Sequence, residues 1–138
     1  MTNWSTKSLV PLILLSTLSL SQAQVDLSKI LVGKWEGAIE GAHTWRGGPY
    51  RTLIIQSARE EGGALRVEAM YGITGLSVSP VNVTVEGAGG EVILRFLTGA
   101  NSQVTLTLYK EKHLEGSFRL TGAGVGRRDY SMKLTRAE

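Results

Sequence analysis

From Gly33 onward, apolar residues recur at every second position in runs of about seven residues, and clusters of Gly, Asn or charged residues separate the runs. Alternation with period two sends successive side chains to opposite faces of an extended chain, so each run reads as a strand with one apolar face. Eight strands are predicted. The first, 34–40, places Trp35, Gly37 and Ile39 on one face and Lys34, Glu36, Ala38 and Glu40 on the other. The second, 50–57, turns Leu53 and Ile55 inward, and the third, 65–71, alternates Leu65, Val67, Ala69 and Tyr71 with Arg66 and Glu68. Inward sets follow in the fourth (81–86: Val81, Val83, Val85), the fifth (92–97: Val92, Leu94, Phe96) and the sixth (104–109: Val104, Leu106, Leu108). The seventh (114–120) carries Leu114, Gly116, Phe118 and Leu120, and the eighth (130–135) carries Tyr130, Met132 and Leu134.

The links Glu60-Glu61-Gly62-Gly63, Gly87-Ala88-Gly89-Gly90, Gly99-Ala100-Asn101-Ser102 and Glu111-Lys112 are short, which makes sequential strands antiparallel neighbours. A meander of one-sided strands has two open edges, and pairing the first strand with the last removes both. The predicted fold is therefore all-β: an eight-stranded antiparallel up-and-down barrel, with a two-sheet sandwich as the other solution. Nothing in the sequence offers a helix long enough for a parallel crossover. Before the first strand, Asp26 can cap one short helical turn with Leu27, Ile30 and Leu31 on one face, ending at Gly33.

Residues 1–23 have a different character. Lys7 is their sole charge, an apolar stretch runs from Leu9 to Leu20, and Ser21-Gln22-Ala23 ends it with small residues where signal peptidase reads. The expectation is a signal peptide cleaved after Ala23 and a mature barrel domain over 24–138, periplasmic or secreted; a retained anchor or a buried N-terminal helix is the competing reading. The apolar stretch falls short of the roughly 20 residues a stable membrane span needs. Cysteine is absent, so the fold rests on its hydrophobic core without disulfides, thiolate ligands or a lipid-attachment thiol. Basic residues number 15 against 12 acidic, too slight an excess to argue for nucleic acid.

Val32-Gly33-Lys34-Trp35-Glu36-Gly37, opening the first strand after a short helical turn, resembles the Gly-x-Trp signature of lipocalins and the related start of avidins and fatty-acid-binding proteins, together the calycins. The resemblance implies a barrel in which Trp35 plugs one end and a basic residue of the last strand lies across its ring. Arg136, which continues the inward parity of Tyr130, Met132 and Leu134, falls at that position. The chain also looks like short exported bacterial lipocalin-like proteins that open with Gly-x-Trp-Glu-Gly and end in Lys-Leu-x-Arg. The disulfide common in lipocalins, the helical lid of the fatty-acid binders and the Trp set of the avidin biotin site are not in this sequence, so no particular ligand carries over.

Candidate site residues gather at the end opposite Trp35. The link from Gly41 to Tyr50 holds His43, Trp45 and Arg46, and with Tyr50, Arg51 and Tyr71 it reads as a ligand-binding mouth. Two readings fit: a lid that contacts a ligand, or a surface loop with Trp45 tucked against the rim. The Gly-rich run from Gly122 to Asp129, with Arg127 and Arg128, reads as a hairpin tip rather than a phosphate cradle, because no helix follows it.

No catalytic constellation emerges. His43 and His113 lack the spacing of a metal pair, no Gly-x-Ser-x-Gly elbow exists, and Glu60-Glu61 lies at a turn where solvated charges are expected. The sequence thus points to an exported binder of a small apolar ligand or lipid, with no enzyme activity, cofactor or metal expected. The alternative is a protein-interaction module or homodimer working through an outward apolar group of Ile54, Met70, Ile73, Ile93 and Leu97. Gly37, Ala69 and Gly116 on the inward faces are expected to leave room in the bore.

Overall fold

The computed structural model describes residues 27–122 and 126–137. Residues 1–26, which hold the export-signal segment and the Asp26 cap, and 123–125 of the Gly-rich tip lie outside the described residues. After a helical turn over 27–31, eight strands follow: β1 (Gly33–Ile39), β2 (Tyr50–Glu61), β3 (Ala64–Ile73), β4 (Val78–Ala88), β5 (Glu91–Leu97), β6 (Ser102–Tyr109), β7 (His113–Gly122) and β8 (Gly126–Ala137). Every sequential pair is antiparallel, and β1 pairs with β8 to close the barrel, as the alternation predicts.

The predicted inward parity holds along each strand, and Trp35, Leu53, Leu94, Val104, Leu106, Leu114, Met132 and Leu134 have no exposed surface. Zero exposure means that no water-sized void touches them, so the Trp35 end and the middle of the bore are filled by side chains. Apart from Arg51 and Arg136, charged residues of the strands take outward positions and form surface ion pairs such as Lys34–Glu36 and Arg66–Glu61.

Strands run longer than the apolar pattern suggested. The hairpin turns Gly62-Gly63 and Gly89-Gly90 reverse the chain at positive φ, a conformation without penalty for Gly. The turn between β6 and β7 uses Lys110 and Glu111 at φ 52° and 62° instead, where no Gly or Asn marks it. In β2 a bulge at Gln56 shifts the register between Ile55 and Ser57, so Ala58 and not Ser57 faces the core.

Gly37 and Gly116 do not leave room in the bore. A Cβ on Gly37 would overlap the Lys133 carbonyl oxygen, and one on Gly116 would overlap that of Thr105. Their missing side chains are used by the close approach of neighbouring backbones, which lets the strands coil tightly enough to close.

The plugged end is built from β1, β8 and the helical turn. The indole Nε1 of Trp35 donates to the Leu31 carbonyl at 2.9 Å. Arg136 donates from Nη1 to Val32 O at 2.8 Å and from Nη2 to the carbonyls of Lys29 and Ile30. The last carbonyls of a helix have no partner within it. Here two side chains supply the donors for four consecutive carbonyls.

β4 has an uneven register. Its first part pairs with β3, from Gly72↔Val78 to Val67↔Val83, whereas its pairing with β5 begins only at Thr84↔Arg95 and runs to Ala88↔Glu91. β4 thus crosses obliquely from one neighbour to the other, and Pro80, which lacks an amide hydrogen, sits in the part that stands off from β5. Such a crossing parts the wall twice: between β4 and β5 at the mouth, and between β3 and β4 at the plugged end.

Candidate functional site

Each parting of the wall is a concavity. The one at the plugged end has a volume of about 700 Å³ and is lined by Ala64, Leu65 and Arg66 of β3 and Asn82 to Val85 of β4, with Glu61 and Glu68 nearby. Its charged groups already pair on the surface, Arg66 with Glu61 and Glu68 with Arg59.

The concavity at the mouth is different. It holds about 520 Å³ between Ser77, Ser79, Pro80 and Val81 on one side and Leu97, Thr98 and Gly99 on the other, and it reaches inward to Arg51, Tyr71, Ser102 and Phe118. Its lining mixes apolar side chains with hydroxyls, and its volume falls in the range of small-molecule sites.

Arg51 and Tyr71 form its inner part. Alternation along β2 places Arg51 on the same face as Leu53 and Ile55, and the residue is only 6% exposed. Its Nη1 donates to the carbonyls of Gly48, at 2.8 Å, and Tyr50, at 3.0 Å. Tyr71, paired with Leu53 on one side and Ser79 on the other, packs its ring edge-on against Phe96 at 5.1 Å. Its hydroxyl is buried and accepts or donates no hydrogen bond among the described residues. Burial pushes the phenol up to about 12, and the positive charge and close approach of the Arg51 guanidinium oppose that rise.

The loop over 40–49 covers the mouth. Trp45 is half-buried, with its ring 5.6 Å from Phe118 and 4.9 Å from Tyr130, the latter edge-on. Backbone hydrogen bonds Ala42 N to Ile39 O, Trp45 N to Ala42 O and Gly48 N to Trp45 O fold the loop into successive turns, and Ile39 N donates to Pro49 O across its base. The loop therefore lies pinned, with Trp45 tucked onto the rim.

The six residues expected at the mouth thus divide. Arg51 and Tyr71 come together in the cleft and Trp45 caps the bore beside it, whereas His43, Arg46 and Tyr50 stand exposed on the loop. Ser79, Thr98, Ser102 and Phe118 also line the cleft and were not expected there. Phe118 read as core, and Pro80 was the one signal in the sequence that β4 would stand off from a neighbour.

The outward apolar group does not gather into one patch. Ile54 and Met70 oppose each other on β2 and β3, Ile93 pairs with Glu86 and Thr107 on the other side, and Leu97 belongs to the rim of the cleft. Ile73 is a correction: it pairs with Arg51 and so has inward parity, and its side chain lies beside Gly47 of the mouth loop. His43 and His113 lie at opposite ends of the barrel. Among the described residues no helix is long and apolar enough to cross a membrane.

Comparison with known proteins gives no matching family model, no similar curated protein and no similar solved structure.

Proposed function

We propose that this is an exported calycin-like barrel that binds a small ligand, and that the ligand occupies the mouth cleft between β4 and β5 rather than the bore. The observation that carries this reading is the cleft itself: a concavity of about 520 Å³ in which the wall stands open to a buried Arg and a buried Tyr. The filled bore argues against a ligand held along the barrel axis. The Trp35 plug with its Arg136 cover and the short preceding helical turn support the calycin kinship. Export rests on the N-terminal sequence pattern.

Native mass spectrometry of the protein taken from its own host tests the reading. A retained molecule of small mass is expected, and Val81→Trp, which fills the cleft, should release it. Recovery of the wild-type chain with no adduct but with a second polypeptide would instead favour an interaction module.

A further inference from the structure

Two buried polar groups stand side by side in the mouth cleft, a charge with no carboxylate and a hydroxyl with no hydrogen-bond partner among the described residues. A guanidinium stays charged at any ordinary pH, and a charge removed from water is normally matched by an anion. Arg51 is matched only by the neutral carbonyls of Gly48 and Tyr50, both bound through Nη1. No carboxylate pairs with it among the described residues. Beside it the hydroxyl of Tyr71, a residue only 8% exposed, has no hydrogen-bond partner among the described residues. A buried arginine with no carboxylate and a buried hydroxyl with no partner, side by side in one cleft, describe the complement of the missing group: an acceptor carrying negative charge. The rest of the lining is apolar at Val81, Leu97 and Phe118, with the hydroxyls of Ser79, Thr98 and Ser102 along the margin.

We propose that the cleft binds an amphiphile by its oxyanion head, a carboxylate or a phosphate, which accepts hydrogen bonds from Arg51 and Tyr71 while the apolar part lies along Val81, Leu97 and Phe118. The inference rests on the ligand-binding reading above and specifies the ligand's chemistry. The neighbouring ion pair Arg119–Asp129 is outside the cleft lining and already satisfied, so the anion is drawn to Arg51.

Titration calorimetry with octanoate, octyl phosphate and octanol tests it, since the three share a tail and differ in the head. At least one anionic probe is expected to bind roughly ten-fold or more tighter than octanol, the scale of one charge-assisted hydrogen bond. The tighter of the two anions identifies the head. Tyr71→Phe should weaken that probe about ten-fold and leave octanol unchanged. Arg51→Met should abolish the preference for the anion; because Arg51 also holds the mouth loop, a misfolded variant leaves Tyr71→Phe, which keeps the bonds from Arg51 to Gly48 and Tyr50, to decide. Equal binding of octanol and both anions overturns the oxyanion site but not the ligand-binding reading. An anion preference that survives Tyr71→Phe intact overturns the assignment to this cleft. Failure of all three probes overturns both proposals.

Discussion

Trp35 and Arg136 stand opposite each other on β1 and β8, and the guanidinium carbon lies 5.0 Å from the centre of the indole. The pair closes one end of the barrel and at the same time supplies the donors that the helical turn lacks. Trp35 contributes packing, Arg136 mainly hydrogen bonds. Trp35→Ala should therefore lower stability by about 3–5 kcal/mol and Arg136→Met by about 2 kcal/mol. Urea denaturation followed by circular dichroism measures both, and a Trp35→Ala midpoint equal to wild type would show that the indole is no plug.

The opposite sign is expected at Tyr71. Its hydroxyl is desolvated on folding and gains no partner within the described protein, so Tyr71→Phe should stabilise the unliganded protein by about 1 kcal/mol, a rise in Tm of about 4 °C. Differential scanning calorimetry of the two unliganded proteins gives the comparison, and a fall in Tm would mean that the hydroxyl has a partner after all.

The same phenol makes stability depend on alkaline pH. Its pKa rises on folding from 10.0 to about 12, so the unfolded chain loses the proton first. Above pH 10 the unfolded state binds fewer protons than the folded one, and stability falls with rising pH until the folded phenol also ionises near 12. Below pH 10 the contribution is fully present. Unfolding free energies at pH 9, 10 and 11 should therefore drop more steeply for wild type than for Tyr71→Phe; parallel curves would remove Tyr71 as the cause.

Much of this arrangement is legible in the sequence, for a physical reason. A sheet with one wet and one dry face writes its parity into every second residue, so Trp35, Leu53, Leu94, Leu106, Phe118 and Met132 could be placed inside from alternation alone. The same count gives Arg136 inward parity, and the resemblance to calycins set it against Trp35. Local pattern does not encode register between non-adjacent positions, and the Gln56 bulge and the oblique path of β4 are both register events. For that reason Arg51 and Tyr71 were identifiable as candidates, but the cleft that joins them to Ser79, Ser102 and Phe118 was not. The glycines misled in a related way: absence of a side chain reads as space, whereas at Gly37 and Gly116 it is filled by backbone.

Gly116→Ala is the direct test of that last point. The added methyl would meet the Thr105 carbonyl, a backbone group that cannot rotate away, and overpacking of this kind costs about 1–3 kcal/mol. Gly116→Ala should lower the denaturation midpoint accordingly, whereas Gly63→Ala, with open space around its Cβ, should show only the strain of a positive φ. A neutral Gly116→Ala would mean that the strands are farther apart than described.

Trp45 should behave as a cover rather than a keystone. Its contacts with Phe118 and Tyr130 are aromatic edges worth about 0.5–1.5 kcal/mol each, so Trp45→Ala should cost about 1–3 kcal/mol. In stopped-flow measurements with an anionic amphiphile, the same variant should speed both association and release, because the mouth next to the cleft loses its roof. Unchanged rates would separate the loop from ligand passage.

The pairing of Lys34 with Ala137 joins segments from near the two extremes of the described chain. Hairpins between sequential strands can zip locally, but this seam requires the chain to bring its most distant parts together, the slowest kind of contact to form. A polypeptide still emerging from a ribosome or a translocation channel can hold seven of its eight strands and yet have nowhere to bury Trp35. Pairing of β8 with β1 is thus the step that turns a sticky ribbon into a closed vessel, and deletions within β8 should aggregate rather than merely weaken.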